Sequence, residues 1–118
     1  MIVRNLKAEE VRSRWYTAHG GGTATMLFDS TELKGILFLA HAELKPGKEL
    51  EMHADPYEEI HYVLKGKGLM TVGGDTQPVA AGDAIWIPFS APHGLVNNGT
   101  EECVLLVVAG MPRDYLQF

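Results

Sequence analysis

The chain has little of what marks a secreted, nucleic-acid-binding or membrane protein. Cysteine occurs once, at Cys103, which excludes an internal disulfide framework and fits a reducing compartment. Lysine and arginine total only ten and the net charge is -5, whereas nucleic-acid binding needs clustered cations. The longest apolar run, residues 104–110, is too short to cross a bilayer, and the N-terminus lacks a signal-peptide pattern. We therefore expect a cytoplasmic protein that binds neither nucleic acid nor membranes.

Helical patterning is also scarce. Only residues 7–14 carry good helix formers, and because they lack an apolar stripe we expect at most one short, exposed helix there. Elsewhere Gly and Pro turns separate short runs of β-branched, aromatic and aliphatic residues at 36–39, 60–64, 84–87 and 104–108. A chain of 118 residues suits one domain and is too short for two. The pattern predicts a single all-β barrel or sandwich.

Histidines and carboxylates recur at two-residue spacing between residues 53 and 61. Side chains two apart in a strand face the same side, so His53 can share a face with Asp55, and Glu59 with His61. Pro56 interrupts regular pairing between the two pairs. We predict two adjoining strands, joined at a turn, that bring four donor side chains to one inward surface.

His93 adds an imidazole from a distant part of the chain. It follows a predicted strand that ends at Pro88, and Ser90 and Pro92 restrict its approach. A side chain held in a fixed position in this way suits a metal ligand. The residues alone thus suggest a metal site on the inner wall of a barrel.

At these residues the sequence resembles the cupin superfamily, whose small members carry two motifs on one antiparallel β-barrel. The first motif runs Gly, five residues, His-x-His, three or four residues, Glu, six residues, Gly; its matches are Gly47, His53, Glu59 and Gly66. The second runs Gly, five residues, Pro-x-Gly, two residues, His, three residues, Asn; its matches are Gly82, Pro88, His93 and Asn97.

The resemblance covers about residues 35–109 and implies one jelly-roll domain, a double-stranded β-helix, over residues 1–118. Residues 1–34 would then supply N-terminal strands and the short helix, and residues 110–118 a C-terminal tail. The same resemblance suggests a homodimer formed by strand exchange or sheet packing. The apolar run 104–108 and residues 115–118 could supply its surface.

Two positions depart from the family pattern: Asp55 stands where the second histidine is expected, and Ser90 replaces a glycine. Carried over, the motifs imply His53, Glu59 and His93 as metal ligands, with Asp55 at the fourth position. Three alternatives stay open for that position, because Asp55 could ligate, His61 could supply the missing imidazole, or neither could. Either side chain could instead serve as a base near the metal.

Two histidines and one carboxylate suit iron, and an added Asp55 makes a harder donor set that favours iron or manganese over copper, with zinc and nickel as alternatives. We predict a metalloenzyme acting on a compact polar substrate that chelates the ion through oxygen atoms. The donor set favours a dioxygenase over a decarboxylase or an isomerase. The competing hypothesis is a barrel that binds a small molecule or sugar without turnover.

Several other residues carry expectations that a structure can check. We expect a buried structural role for Cys103 and an outward position for Tyr62. Neither His19, in a glycine-rich loop, nor His41 is assigned to the site. Four large apolar residues are expected to fill the barrel core: Met26, Phe28, Phe38 and Trp86.

Overall fold

Almost every regular element of the computed structural model, which describes residues 1–111, is a strand. The single helix is α1 (Glu9–Arg12). Ten strands follow: β1 (Trp15–Ala18), β2 (Gly22–Phe28), β3 (Ile36–Leu44), β4 (Glu49–His53), β5 (Glu58–Lys65), β6 (Lys67–Val72), β7 (Asp75–Ala80), β8 (Ala84–Ile87), β9 (His93–Val96) and β10 (Cys103–Gly110). The predicted all-β fold with one short helix is confirmed. No helix within residues 1–111 has both the length and the apolar character of a membrane span.

The strands form two antiparallel sheets. Six strands pair in the order β1-β2-β3-β10-β5-β8, and four pair in the order β4-β9-β6-β7. Two strands that precede residue 35, β1 and β2, thus extend the larger sheet. An isolated bridge between Gly20 and Leu50 joins β4 to the chain just after β1, which ties the two sheets together at one side.

The core lies between the sheets and follows the alternation of each strand. In β10, Cys103, Leu105, Val107 and Ala109 are buried, whereas the intervening residues are only half-buried. Leu50, Met70 and Leu95 of the smaller sheet pack in the same apolar cluster. Because Cys103 is fully enclosed, burial raises the pKa of its thiol, and the predicted structural role agrees with this position.

Strand β5 has the predicted facing, with Val63 buried and Tyr62 exposed. The prediction that Trp86 lies in the core was wrong, because its side chain is 63% exposed. The reason is that Ile85 and Ile87, its neighbours in β8, occupy the inward positions, and the indole lies on the outer face. Phe28 is half-buried, with the Arg4 guanidinium 4.8 Å from its ring centroid.

The turn between β4 and β5 crosses from the smaller sheet to the larger. His53 ends β4, Glu58 begins β5, and the amide of Ser90 donates a hydrogen bond to the Asp55 carbonyl at 2.9 Å. His93 begins β9 directly opposite His53 in the sheet register. The predicted two-strand arrangement is therefore present, and it places the motif residues at one end of the core.

Candidate metal site

Four side chains converge where β4, β5 and β9 meet. They are His53, the last residue of β4; Asp55, in the following turn; Glu59, the second residue of β5; and His93, the first residue of β9. One nitrogen or oxygen atom of each lies within 4.8 Å of the corresponding atoms of the other three. This four-residue cluster could hold a metal ion.

The individual distances show how the cluster is connected. Oδ2 of Asp55 lies 3.3 Å from Nε2 of His53 and 3.8 Å from Nε2 of His93. Nε2 of His93 also lies 3.2 Å from Oε2 of Glu59. Both imidazoles therefore present the same nitrogen, Nε2, to carboxylate oxygens.

Backbone contacts explain why Nε2 faces the cluster. The Nδ1 atom of His53 lies 2.7 Å from the Glu51 carbonyl oxygen, and that of His93 lies 2.9 Å from the Ala91 carbonyl oxygen. A carbonyl can only accept a hydrogen bond, so each Nδ1 carries the proton and donates it. In the neutral imidazole, Nε2 then has a free lone pair, which is the arrangement of metal-binding histidines.

Two buried atoms of the cluster lack a hydrogen-bond partner, Oε2 of Glu59 and Nε2 of His93. Glu59 is 5% exposed and His93 is 1% exposed, so bulk solvent does not reach these two atoms. Each unpaired buried polar group costs about 1–3 kcal/mol. A divalent cation would satisfy both atoms, and a set of two imidazoles and two carboxylates fits iron, manganese, zinc or nickel.

The electrostatics of the cluster are strongly coupled. Burial alone raises the pKa of Glu59, but the hydrogen bond from His61 and the adjacent His93 imidazole outweigh it and hold this pKa well below its usual value. Burial lowers the pKa of His93, but the Glu59 carboxylate and the Ala91 carbonyl reverse the effect. Burial, followed by the hydrogen-bonding contact with the Glu59 carboxyl and then by its charge, raises the pKa of Asp55.

His61 lies beside the cluster but not in it. Its Nε2 is 3.2 Å from Oε1 of Glu59, and because a carboxylate only accepts, this nitrogen donates the hydrogen bond. Its other nitrogen, Nδ1, is buried without a partner. The geometry thus gathers Asp55 with the three motif residues and places His61 behind Glu59.

His19, which the sequence analysis does not assign to the site, lies directly against it. Its ring stacks on His53 with centroids 3.3 Å apart and an interplanar angle of 8°. The His19 carbonyl accepts a hydrogen bond from the Glu51 amide at 2.8 Å, which fixes the loop against β4. Burial lowers the pKa of His19. His41 lies on β3, with its Nδ1 3.9 Å from Oε1 of Glu43.

A cavity of about 240 Å³ reaches the cluster. His53, Glu59 and His61 form its polar end, while larger apolar walls come from Met26, Phe38, Leu50 and Val107. The space exists because small residues face inward on adjacent strands, and the alanines that line it are Ala18, Ala24, Ala40 and Ala42. Met26 and Phe38, both expected in the core, are half-buried and line this cavity, and only Phe38 also packs against the core cluster.

Comparison with known proteins identifies the family. The profile of the cupin domain matches residues 40–109. The chain is a cupin. This cupin is 31% identical over 117 residues to an uncharacterized protein of Methanocaldococcus jannaschii, and the match covers 98% of this chain and 94% of that protein.

Two solved structures place this cupin among its relatives. A cupin 2 conserved barrel protein of Salinispora arenicola superimposes with a TM-score of 0.78 at 20% identity, covering 98% of this chain and 92% of that chain. This likeness confirms the predicted cupin jelly roll. The polyketide cyclase RemF of Streptomyces resistomycificus gives a TM-score of 0.69 at 30% identity, covering 80% of this chain and 69% of that chain.

Proposed function

We propose that this cupin is a metal-dependent enzyme in which His53, Asp55, Glu59 and His93 hold one divalent transition-metal ion. The observation that carries the proposal is the pair of buried, unpartnered atoms on Glu59 and His93, beside imidazoles whose Nδ1 protons are already engaged. Two carboxylates make the donor set hard, which favours iron or manganese, with zinc and nickel as alternatives. The substrate is a small molecule that chelates the ion through oxygen atoms.

The chain's own residues have separable roles in this proposal. Asp55 is the fourth ligand, because its Oδ2 lies between the two cluster imidazoles. His61 holds Glu59 through Oε1 and leaves Oε2 free for the ion. His61 also lines the cavity, and its Nδ1 has no partner. We assign this nitrogen the role of proton acceptor for the bound substrate. The ion would polarise a substrate oxygen as a Lewis acid.

The two-histidine, carboxylate core favours dioxygenation as the reaction. A second candidate, proton-transfer chemistry without oxygen, is favoured by the unpartnered Nδ1 of His61, a residue that lines the cavity. It is also favoured by the 30% identity to a protein named as a polyketide cyclase. Cyclisation, decarboxylation and isomerisation belong to this class.

Oxygen dependence separates the two reaction classes. The iron-loaded protein is tested with a panel of oxygen-chelating substrates, and oxygen uptake and product formation are measured together. A dioxygenase consumes one oxygen molecule per substrate and stops under argon. Undiminished conversion under argon contradicts dioxygenation and supports the second class. A metal-free protein whose ligand binding is unchanged by chelators would instead support the non-catalytic sugar-binding or small-molecule-binding alternative.

We also propose that the protein forms a homodimer through the outer face of the larger sheet. Apolar side chains adjoin there in register, with Trp86 opposite Ile60, Ile60 opposite Val108, and Tyr62 opposite Leu106. Ile60 and Tyr62 are 50% and 42% exposed. Monomers rarely expose apolar patches beyond a few hundred Å², and a stable dimer buries roughly 800 Å² per partner. The tail residues 115–118, also predicted to contribute, lie outside the described residues.

Sedimentation analysis tests this assembly. Ile60→Glu should convert a dimer to a monomer, because it places a charge at the centre of the proposed interface. Leu69→Glu is the matched control, since Leu69 is 37% exposed on a strand of the smaller sheet. A monomeric parent protein, or equal effects of the two variants, would contradict the proposed interface.

A further inference from the structure

The charge of the metal site is already balanced by the protein. Asp55 and Glu59 each supply one negative charge, so a divalent ion held by the cluster leaves it neutral. A chelating ligand that arrives as a dianion would therefore bring two uncompensated charges. In a site of low dielectric constant such charges are costly unless a cation lies close.

The cavity beside the cluster offers no permanent cation among the described residues. No lysine or arginine within residues 1–111 lines it. Its polar side chains are three imidazoles, two tyrosines and Glu59, and the rest of the wall is four alanines with Met26, Phe38, Leu50 and Val107. Two tyrosines, Tyr16 and Tyr57, add apolar ring surface, and the Tyr57 ring packs edge-on against Phe38 with centroids 5.7 Å apart. At about 240 Å³ the cavity falls below the ~300–1,000 Å³ of sites for drug-sized ligands.

From these two observations we infer that the site selects small oxygen chelators with no more than one negative charge and an apolar body, and that it rejects compact dianions such as dicarboxylates. This inference rests on the proposed metal site and narrows its substrate class. The oxygen atoms would bind the ion, whose charge the cluster already balances, and the apolar part would replace water against Ala24, Ala42 and Phe38. The expected substrate is therefore amphipathic, whereas the sequence predicted a compact polar one.

Acetylacetone and malonate form a matched pair of probes. Both chelate through two oxygens on a three-carbon unit, but acetylacetone binds metals as a monoanion with two methyl groups, and malonate binds as a dianion. Isothermal titration of the zinc-loaded protein gives both affinities, each divided by the affinity of the same chelator for aqueous zinc. We expect this ratio to favour acetylacetone by at least tenfold. A ratio near one, or one favouring malonate, overturns the inference.

A charge added to the cavity wall supplies the reciprocal test. Met26→Lys places an ammonium group on that wall, and Met26→Gln is the neutral control of similar length. The lysine variant should reduce the preference for acetylacetone at least tenfold, and the glutamine variant should change it less than threefold. Equal ratios in the two variants contradict the charge argument.

Metal analysis before and after each titration distinguishes failure of the proposed metal site from failure of the proposed ligand selectivity. Protein that holds no zinc overturns the proposed function and this inference together. Protein that keeps one zinc per chain and binds malonate as well as acetylacetone overturns only the inference. The parent protein alone decides this point, whatever the stability of the Met26 variants.

Discussion

His61 Nε2 lies 3.2 Å from Glu59 Oε1, and the other oxygen of that carboxylate, Oε2, lies 3.2 Å from His93 Nε2. One carboxylate thus connects an imidazole of the cluster to an imidazole behind it. The side-chain period of β5 places Glu59 and His61 on the same inward face. Through this contact His61 positions the Glu59 carboxylate. This role is distinct from binding the ion and from packing in the core.

Loss of the His61 imidazole should weaken the metal site without removing it. His61→Ala frees Glu59 Oε1 and lets the carboxylate turn, so metal affinity should fall about 10–100-fold. Stoichiometry at saturating metal should stay at one ion per chain. His93→Ala, which removes a proposed ligand, is the comparison and should lower the stoichiometry itself. Competition with a metal-sensitive dye measures both, and equal losses in the two variants would mean that His61 ligates the ion.

Restoring the family's histidine should change metal preference. Asp55→His replaces a hard carboxylate with an imidazole, and the softer donor set should move selection from manganese toward zinc and nickel. The measurement is metal content after exposure to an equimolar mixture of these ions. Asp55→Asn serves as the control for loss of charge alone. Unchanged selection in Asp55→His would contradict the placement of Asp55 among the ligands.

Spacing along the chain predicted much of this site because β-strand periodicity fixes which side chains share a face. Periodicity predicted the two donor pairs within residues 53–61, and the resemblance to the second cupin motif added His93 as a ligand. His19 could not be found in this way, since its stacking on His53 arises from a long-range contact between a glycine-rich loop and β4.

The sequence also did not predict the apolar cavity. It depends on the register that sets Ala24 opposite Ala42 and Met26 opposite Ala40, and hydropathy does not encode register. Trp86 is a different case. The alternation of Ile85 and Ile87 in β8 predicts an outward indole. The prediction of a buried Trp86 followed instead the general tendency of aromatic residues to be buried.

The glycine that closes the first motif should be far less tolerant of a side chain than a glycine in an open turn. Gly66 has φ +80°, and a β-carbon there would clash with the Glu102 carbonyl oxygen. Gly73 has φ +62° with nothing within 4 Å. Alanine at either position costs about 1–2 kcal/mol of backbone strain, and Gly66→Ala should cost about 1–3 kcal/mol more. Urea unfolding measures the difference, and equal losses would contradict the close approach.

Acidic pH should reveal the contribution of Thr31. Its hydroxyl lies within hydrogen-bond distance of the carboxylates of Asp29 and Glu32, can donate its one proton to either, and lowers the pKa of each. A lowered pKa in the folded state stabilises the fold above the ordinary values of 3.8 and 4.5, and this stabilisation disappears as pH falls through the folded-state values. Thr31→Val should therefore unfold at lower temperature than Thr31→Ser at pH 7, with the gap closing in acid. A gap independent of pH would show that the hydroxyl acts otherwise.

The most direct test of the central claim is the metal content of the protein itself. Mass spectrometry of the elements, applied to protein purified without added metal and again after loading with iron, manganese, zinc or nickel, counts ions per chain. The proposed site predicts about one divalent ion per chain in the parent protein and none in a His53→Ala, His93→Ala double variant that remains folded. A parent protein that holds no ion under any loading condition, or a double variant that holds as much as the parent, would contradict the account.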